Sequence, residues 1–456
     1  MLDDLASFVV EAEYKSLSET AVSQAKLRVL DAIGCAFGAL DYPTTRLIAA
    51  QNEDFGGFPR CTLIGGGRTS PDRAAFYNSV LVRYLDFNDS YLAKGETCHP
   101  SDNLGAVLAA CEYADGTGED LLTALAVAYQ VQCRLSDVAP VRAKGFDHTT
   151  QGAYALAAGG AKALSLDKDQ TANAIAIAGT AFNALRVTRT GALSNWKGLA
   201  FPNTAFGVTQ TTFLAMRGIT GPREVFEGNK GFMEAIAGQF SLDWSKEDLE
   251  KITQTSVKRF NAEIHSQATI EGVLELKHEQ QLNASEIRSV DIETFDVAYN
   301  IIGGGEEGEK HNVHTKEEAD HSLPYMIAVA ALDGQVMPEQ YRPARIVTED
   351  VQSLLKKVKI RPSLEYSQRF PDEMGCRITV NLRDDRKIIR EKRDYEGFLT
   401  RPMSWETAVR KFEQLVSSHI ERLLREEIID AVSHLESLRV SDITRLLGDS
   451  RFRQFK

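Results

Sequence analysis

Apolar residues recur along the first half of the chain at the spacing of helix faces. In Ser18-Glu-Thr-Ala-Val-Ser-Gln-Ala-Lys-Leu-Arg-Val-Leu-Asp-Ala-Ile33 they fall at Val22, Ala25, Val29, Leu30 and Ile33, a helical repeat. Segments 119–135 and 155–164 are apolar and alanine-rich, and 169–179 repeats that composition with Asp167 or Asp169 placed to cap it. So much Ala and Gly predicts close helix–helix contact inside a large bundle. Gly65-Gly-Gly67 and Pro71 mark a loop before the next helix. Residues 1–265 thus read as almost entirely helical.

From about residue 280 the period changes to two. Val290, Ile292 and Thr294 alternate with polar residues, as do Val358 and Ile360, and Cys376, Ile378, Val380 and Leu382. An Asp384-Asp385 turn and Lys387-Ile-Ile-Arg390 follow, which predicts a hairpin of half-buried strands. Between them, 323–332 reads as a buried helix. Helical spacing returns after Ser404, a candidate N-cap, with Val409, Phe412, Val416 and Ile420 on one face. The pattern predicts a mainly α plus α+β fold: a large all-helical domain over 1–268 and 398–456, with a smaller α+β domain, 269–397, inserted into it.

With 456 residues, two domains are expected. The formal charge of -12 argues against a general nucleic-acid binder, and an anionic ligand would need cations gathered locally. The six cysteines include no Cys-x-x-Cys and read as buried small hydrophobes in a reducing compartment. The start, Met1-Leu-Asp-Asp-Leu-Ala, is acidic where a signal peptide is basic, and no run of eighteen apolar residues occurs. The expectation is a cytoplasmic protein with no membrane or nucleic-acid partner.

One polar stretch interrupts the helical half. Between residues 86 and 103 lie Asp86, Asp89, Ser90, His99 and Asp102. A solvated helix connection, with Ser101 or Asp102 capping the next helix, would account for some of these. Paired carboxylates, a hydroxyl and an imidazole are also the groups that move protons. Of nine histidines, four stand where a loop meets a helix: His99, His148, His265 and His321. His278, His419 and His434 lie in charged helical contexts and read as solvated. Metal-binding spacings such as His-Glu-x-x-His are missing, and His311-Asn-Val-His314 offers no evident third ligand. Gly303-Gly-Gly-Glu-Glu-Gly-Glu-Lys310 is too acidic for a phosphate loop. Lys197 stands amid apolar sequence, either snorkelling or aimed into a pocket, and Arg186, Arg189, Lys258 and Arg259 could add local cations.

Asp86-Phe-Asn-Asp-Ser90, His99-Pro-Ser-Asp-Asn103, Gly145-Phe-Asp-His-Thr-Thr150, Leu193-Ser-Asn-Trp-Lys-Gly198 and Ala319-Asp-His-Ser-Leu-Pro-Tyr325 together resemble the MmgE/PrpD family. That family includes 2-methylcitrate dehydratase, cis-aconitate decarboxylase and iminodisuccinate epimerase. The resemblance runs from Lys26-Leu-Arg-Val-Leu-Asp-Ala-Ile-Gly-Cys35 to the helix after Ser404. It implies a helical domain with an inserted α+β lid, a site between them and a homodimer. It also implies no metal, iron–sulfur cluster or organic cofactor. The pocket residues of the decarboxylase branch match Asp86, Ser90, His99, His148 and Lys197 by motif, and His265 and Tyr325 by order and context. Asn88 stands where an aspartate is common, and Ser90 where a threonine is. The longer 91–98 insert and the full His-Pro-Ser-Asp-Asn are more similar to the dehydratase branch.

The activity this implies is a lyase reaction on a small-molecule tricarboxylate: dehydration of a 2-hydroxy acid such as 2-methylcitrate to an aconitate-type alkene. His99 and His148 would divide the proton transfers, with base and acid left unassigned. Lys197 and nearby arginines would clamp carboxylates, and Asp86 would orient a histidine or bind the hydroxyl. Ser90, His265 and Tyr325 would contact substrate. Decarboxylation of cis-aconitate, epimerisation of a small dicarboxylate, or an inactive carboxylate-binding homologue remain as alternatives.

Overall fold

The helices of the first half pack through their small residues, as their composition predicts. In the computed structural model, which describes residues 1–449, Gly118–Val138 lies along Thr149–Ala163, and the latter buries every residue except Lys162. A side chain at Gly159 would sit 2.9 Å from the Ala128 methyl and 3.1 Å from the Ala124 carbonyl, so this approach depends on glycine. The chain divides into two units. One takes Met1–Thr188, Gly198–Thr255 and the chain from Ser404 on; the other takes Arg189–Lys197 and Ser256–Met403.

In the first unit side-chain caps set the starts of several long helices. Ser18 accepts from the Ala21 N–H, Thr117 and Asp120 form a capping box, and Ser404 accepts from Thr407. Asp167 rather than Asp169 caps the helix Lys168–Ala181. Trp405–Val416 packs along Glu19–Gly38, where Gly34 leaves room for the Phe412 ring. The chain then turns back, the His419 N–H bonding the Val416 carbonyl, and carries His419 inside. This corrects its reading as solvated; His278 and His434 are exposed as expected.

Two small hairpins interrupt the helices. Cys61–Thr62 pairs with Arg68–Thr69 across the glycine turn, and Tyr91–Ala93 pairs with Glu96–Cys98. Strands of two or three residues are too short to display a period of two, so the helical reading passed over them. After the second hairpin Pro100–Asn103 forms a 3₁₀ turn that runs directly into the helix Leu104–Tyr113. Neither Ser101 nor Asp102 caps that helix, because both side chains bond Asn88 instead.

The second unit holds a four-stranded sheet in the order Val358–Pro362, Ile287–Thr294, Cys376–Leu382, Lys387–Lys392, with only the first pair parallel. Val290 lies opposite both Val358 and Val380, and Ile292 opposite both Ile360 and Ile378, so the alternating apolar residues share one face. The helix Gln267–Glu279 covers that face; a side chain at Gly272 would meet Ile378 at 2.5 Å. The hairpin between the last two strands turns at Asp384-Asp385, and Asp385 adopts φ +68°. Leu323–Asp333 is a buried helix, capped by Ser322 and ended by left-handed Gly334. Among the described residues no helix is long and apolar enough to cross a membrane.

Candidate active site

In the first unit the polar stretch folds inward. Asp86, Asn88, Asp89, Ser90, His99, Ser101 and Asp102 are all buried. Buried polar groups persist only when paired, and this set pairs densely. Asp89 accepts from the Ser101 N–H at 3.0 Å and the Tyr129 hydroxyl at 2.8 Å, with Arg28 Nε at 3.7 Å. Asn88 donates to Ser101 Oγ at 2.9 Å and Asp102 Oδ1 at 2.7 Å. Asp86, in the left-handed region at φ +57°, binds Arg83 Nη1 at 2.6 Å, and Arg83 Nε lies 3.6 Å from Asp102. Lys411 anchors the stretch from the helix Trp405–Val416, donating to the Phe87 carbonyl at 2.7 Å and pairing with Asp31 at 2.6 Å.

This frame sets the chemistry of His99. Its Nδ1 lies 2.9 Å from the Asp89 carbonyl and 3.0 Å from Ser90 Oγ. A carbonyl only accepts, so Nδ1 carries the proton and Nε2 is the basic nitrogen of the neutral ring. His148 stands edge-to-face with it, ring centroids 5.4 Å apart at 74°. On its other side His148 stacks on Phe201 at 6.4 Å, and its Nε2 is 3.7 Å from Asp147. The loop before His148 is braced by the 91–98 hairpin: buried Glu96 accepts from the Val141 and Arg142 N–H groups at 3.1 and 3.0 Å. Burial pushes the Glu96 carboxyl up, against the pull of Arg186.

The second unit carries a charged cluster. Lys197 donates to Asp320 Oδ1 at 2.6 Å and lies 2.8 Å from His321 Nδ1, which is itself 2.8 Å from Asp320. Lys316 occupies the other oxygen of Asp320 at 2.7 Å. Burial works to raise the Asp320 carboxyl, but Lys197, Lys316 and His321 outweigh it and hold it well below the carboxylate range. Two ammoniums on one carboxylate leave this trio with a net positive charge. The segment bearing Lys197 is tied down by Asn195, which donates to buried Glu317 at 2.9 Å.

Within the same unit His265 is buried between Phe295 and Phe370, each 5.6 Å away, and its Nδ1 meets Glu263 at 2.6 Å. Tyr325 is placed differently: fully buried, its hydroxyl donates to the Gln340 carbonyl, and burial pushes its pKa up. The structure thus joins Ser90, His99 and His148, places Asp86 on Arg83 in the same unit, and joins Lys197 with Asp320 and His321 in the other. Asp86 contacts Arg83, a partner the sequence reading did not name. Arg28, Tyr129, Lys316 and Glu263 were also missed; only the Glu263-Ile-His265 spacing offered a local signal. The His311–His314 pair is not a ligand set, since the two nitrogens of His311 meet Glu309 at 2.7 Å and the Val358 carbonyl at 2.9 Å.

Comparison with known proteins agrees with the motifs. A 2-methylcitrate dehydratase of Salmonella typhi is 26% identical over 409 residues, 84% of this chain and 82% of the relative. A mitochondrial 2-methylcitrate dehydratase of Yarrowia lipolytica is 25% identical over 84% of this chain and 77% of its own. A cis-aconitate decarboxylase of Mus musculus is 25% identical over 98% of this chain and 93% of its own. Models of the MmgE/PrpD N-terminal domain and C-terminal domain match residues 3–245 and 260–436, and the chain belongs to the MmgE/PrpD family.

Proposed function

We propose that this protein is a hydro-lyase that dehydrates a 2-hydroxy tricarboxylate such as 2-methylcitrate, using its own side chains and no organic cofactor. The observation that carries this reading is the edge-to-face pair His99–His148, with the His99 proton held on Nδ1 and Nε2 left basic. One histidine takes the proton from the carbon beside a carboxylate, and the other gives a proton to the departing hydroxyl. The carbon–oxygen bond breaks as the alkene forms, and water leaves. Two adjacent imidazoles, one acting as base and the other as acid, would supply what an elimination consumes. In the second unit the net positive charge around Lys197, Lys316 and Asp320 suits a carboxylate, the group Lys197 is proposed to clamp. Asp86 is read here as setting the entry to the stretch through Arg83, with Ser90 completing the contact at His99 Nδ1. His265 and Tyr325 are proposed as substrate-side residues, and the working form as a homodimer.

The test is to add 2-methylcitrate or citrate and follow ultraviolet absorbance of the conjugated alkene, with and without a chelator. His99→Ala, His148→Ala and Lys197→Ala are expected to keep their circular dichroism and lose about 10²–10⁴-fold in kcat. Wild-type-like rates in all three would sink the assignment. A second reading, decarboxylation of cis-aconitate, is favoured by the decarboxylase relative that aligns over nearly the full chain. Loss of cis-aconitate absorbance with CO₂ release, and no reaction of the hydroxy acids, would select it.

A further inference from the structure

Glu263 uses both oxygens on one residue. Its Oε2 accepts from the backbone N–H of His265 at 2.7 Å, and its Oε1 meets His265 Nδ1 at 2.6 Å. Glu263 is ionised: burial would raise its carboxyl, but His265, His321 and Lys258 outweigh burial and lower it. A carboxylate only accepts, so in the neutral His265 ring the proton is fixed on Nδ1 and Nε2 carries the lone pair. The opposite nitrogen, Nε2, is buried with no hydrogen-bond partner among the described residues. The flanking Phe295 and Phe370 rings offer it none. An acceptor left unpaired in an interior is unfavourable and calls for an explanation.

We infer that Glu263 is a positioning residue that makes His265 a one-way reader of the substrate: Nε2 accepts a hydrogen bond from the hydroxyl of a hydroxy tricarboxylate. This rests on the reading of His265 as a substrate-side residue. At neutral pH such a substrate has one class of donor, its hydroxyl, because its carboxylates only accept. A lone pair at Nε2 therefore favours the hydroxy acid and disfavours the same molecule without the hydroxyl. The alkene product has lost the donor, so the contact that holds the substrate is missing after water leaves. A site built to bond a hydroxyl rejects an analogue lacking it more strongly than an apolar pocket rejects an added one.

Glu263→Gln reads this directly. The backbone N–H of His265 must face the amide oxygen, which turns the amide NH₂ toward Nδ1 and moves the ring proton to Nε2. The probes are citrate and its des-hydroxy analogue tricarballylate, titrated by calorimetry against the full-length protein. The wild type is expected to prefer citrate by at least about tenfold, and Glu263→Gln to lose or reverse that preference. Imidazole ¹⁵N shifts are expected to show Nδ1–H at His265 in the ligand-free wild type and Nε2–H in the variant. Should Glu263→Gln fail to fold, His265→Ala is expected to abolish the preference while leaving Glu263 in place. An unchanged citrate-to-tricarballylate ratio in the variants, or an Nε2–H signal in the wild type, overturns the inference. Absence of alkene formation with the preference and the ¹⁵N shifts as expected would overturn the dehydratase reading alone.

Discussion

Lys411 offers the sharpest test of how the histidine-bearing stretch is held. Its side chain is 1% exposed, its Nζ lies 2.6 Å from Asp31 and 2.7 Å from the Phe87 carbonyl, and it sits 3.8 Å from the Phe87 ring centroid. Lys411→Met keeps most of the aliphatic stem and removes the charge. Stripping one partner from a buried ion pair costs about 3–5 kcal/mol, because the other charge is left uncompensated. At about 2 °C per kcal/mol for a unit of this size, the thermal midpoint is expected to fall by about 6–10 °C. Burial already raises the Asp31 carboxyl despite Lys411, so without the lysine Asp31 takes up a proton in the folded state. The folded protein then binds more protons than the unfolded chain above the ordinary carboxylate pKa. This contribution to stability is full below that pKa and fades as pH rises through the folded one, by at most about 1.4 kcal/mol per unit. The deficit of Lys411→Met is therefore expected to be smaller at pH 5.5 than at pH 8, a pair of values chosen to lie roughly either side of neutral. The double variant Asp31→Asn, Lys411→Met leaves no charge to strand and should recover much of the loss. Midpoints from circular dichroism at both pH values decide it. An equal deficit at both, or a double variant no more stable than the single one, would show that lost packing is responsible and refute the buried-charge argument.

Two further outcomes follow from the frame around His148. Glu96→Gln keeps an oxygen for the Val141 and Arg142 N–H groups and should retain near-wild-type turnover; Glu96→Ala strands two donors at about 1–3 kcal/mol each and should lower kcat. Steady-state rates of the two variants, compared at matched circular dichroism, check it, and equal rates would remove the hairpin from the argument. Gly152→Ala would drive a methyl into the Phe201 ring that stacks on His148. Overpacking of this kind costs about 1–3 kcal/mol, so a lower thermal midpoint together with reduced turnover is expected; an unchanged midpoint would refute it.

How much of this was legible in the residues depends on the range of each interaction. The helices around 118–138 and 149–163 were readable because composition and period act locally, and so were the strands whose apolar residues meet at Val290, Val358 and Val380. The hairpin at 91–98 was not, because its strands are too short for a period and it is stabilised by Glu96 reaching Val141 and Arg142, some 45 residues on. Candidate histidines could be named by their position at loop–helix junctions, but their protonation could not. For His99 that is decided by a main-chain carbonyl, at Asp89, a group every residue possesses and no sequence pattern marks. For Asp86 and Asp102 the decisive partner is Arg83, which sits on the preceding helix and meets both carboxylates where the chain turns at a left-handed Asp86. The same limit explains Lys197. Its neighbours in sequence are a tryptophan and a glycine, whereas its role is set by Asp320, His321 and, through Asp320, Lys316, more than a hundred residues away. Sequence motifs thus named the candidate groups, and the position of the proton on His99 came from a contact that only the fold creates.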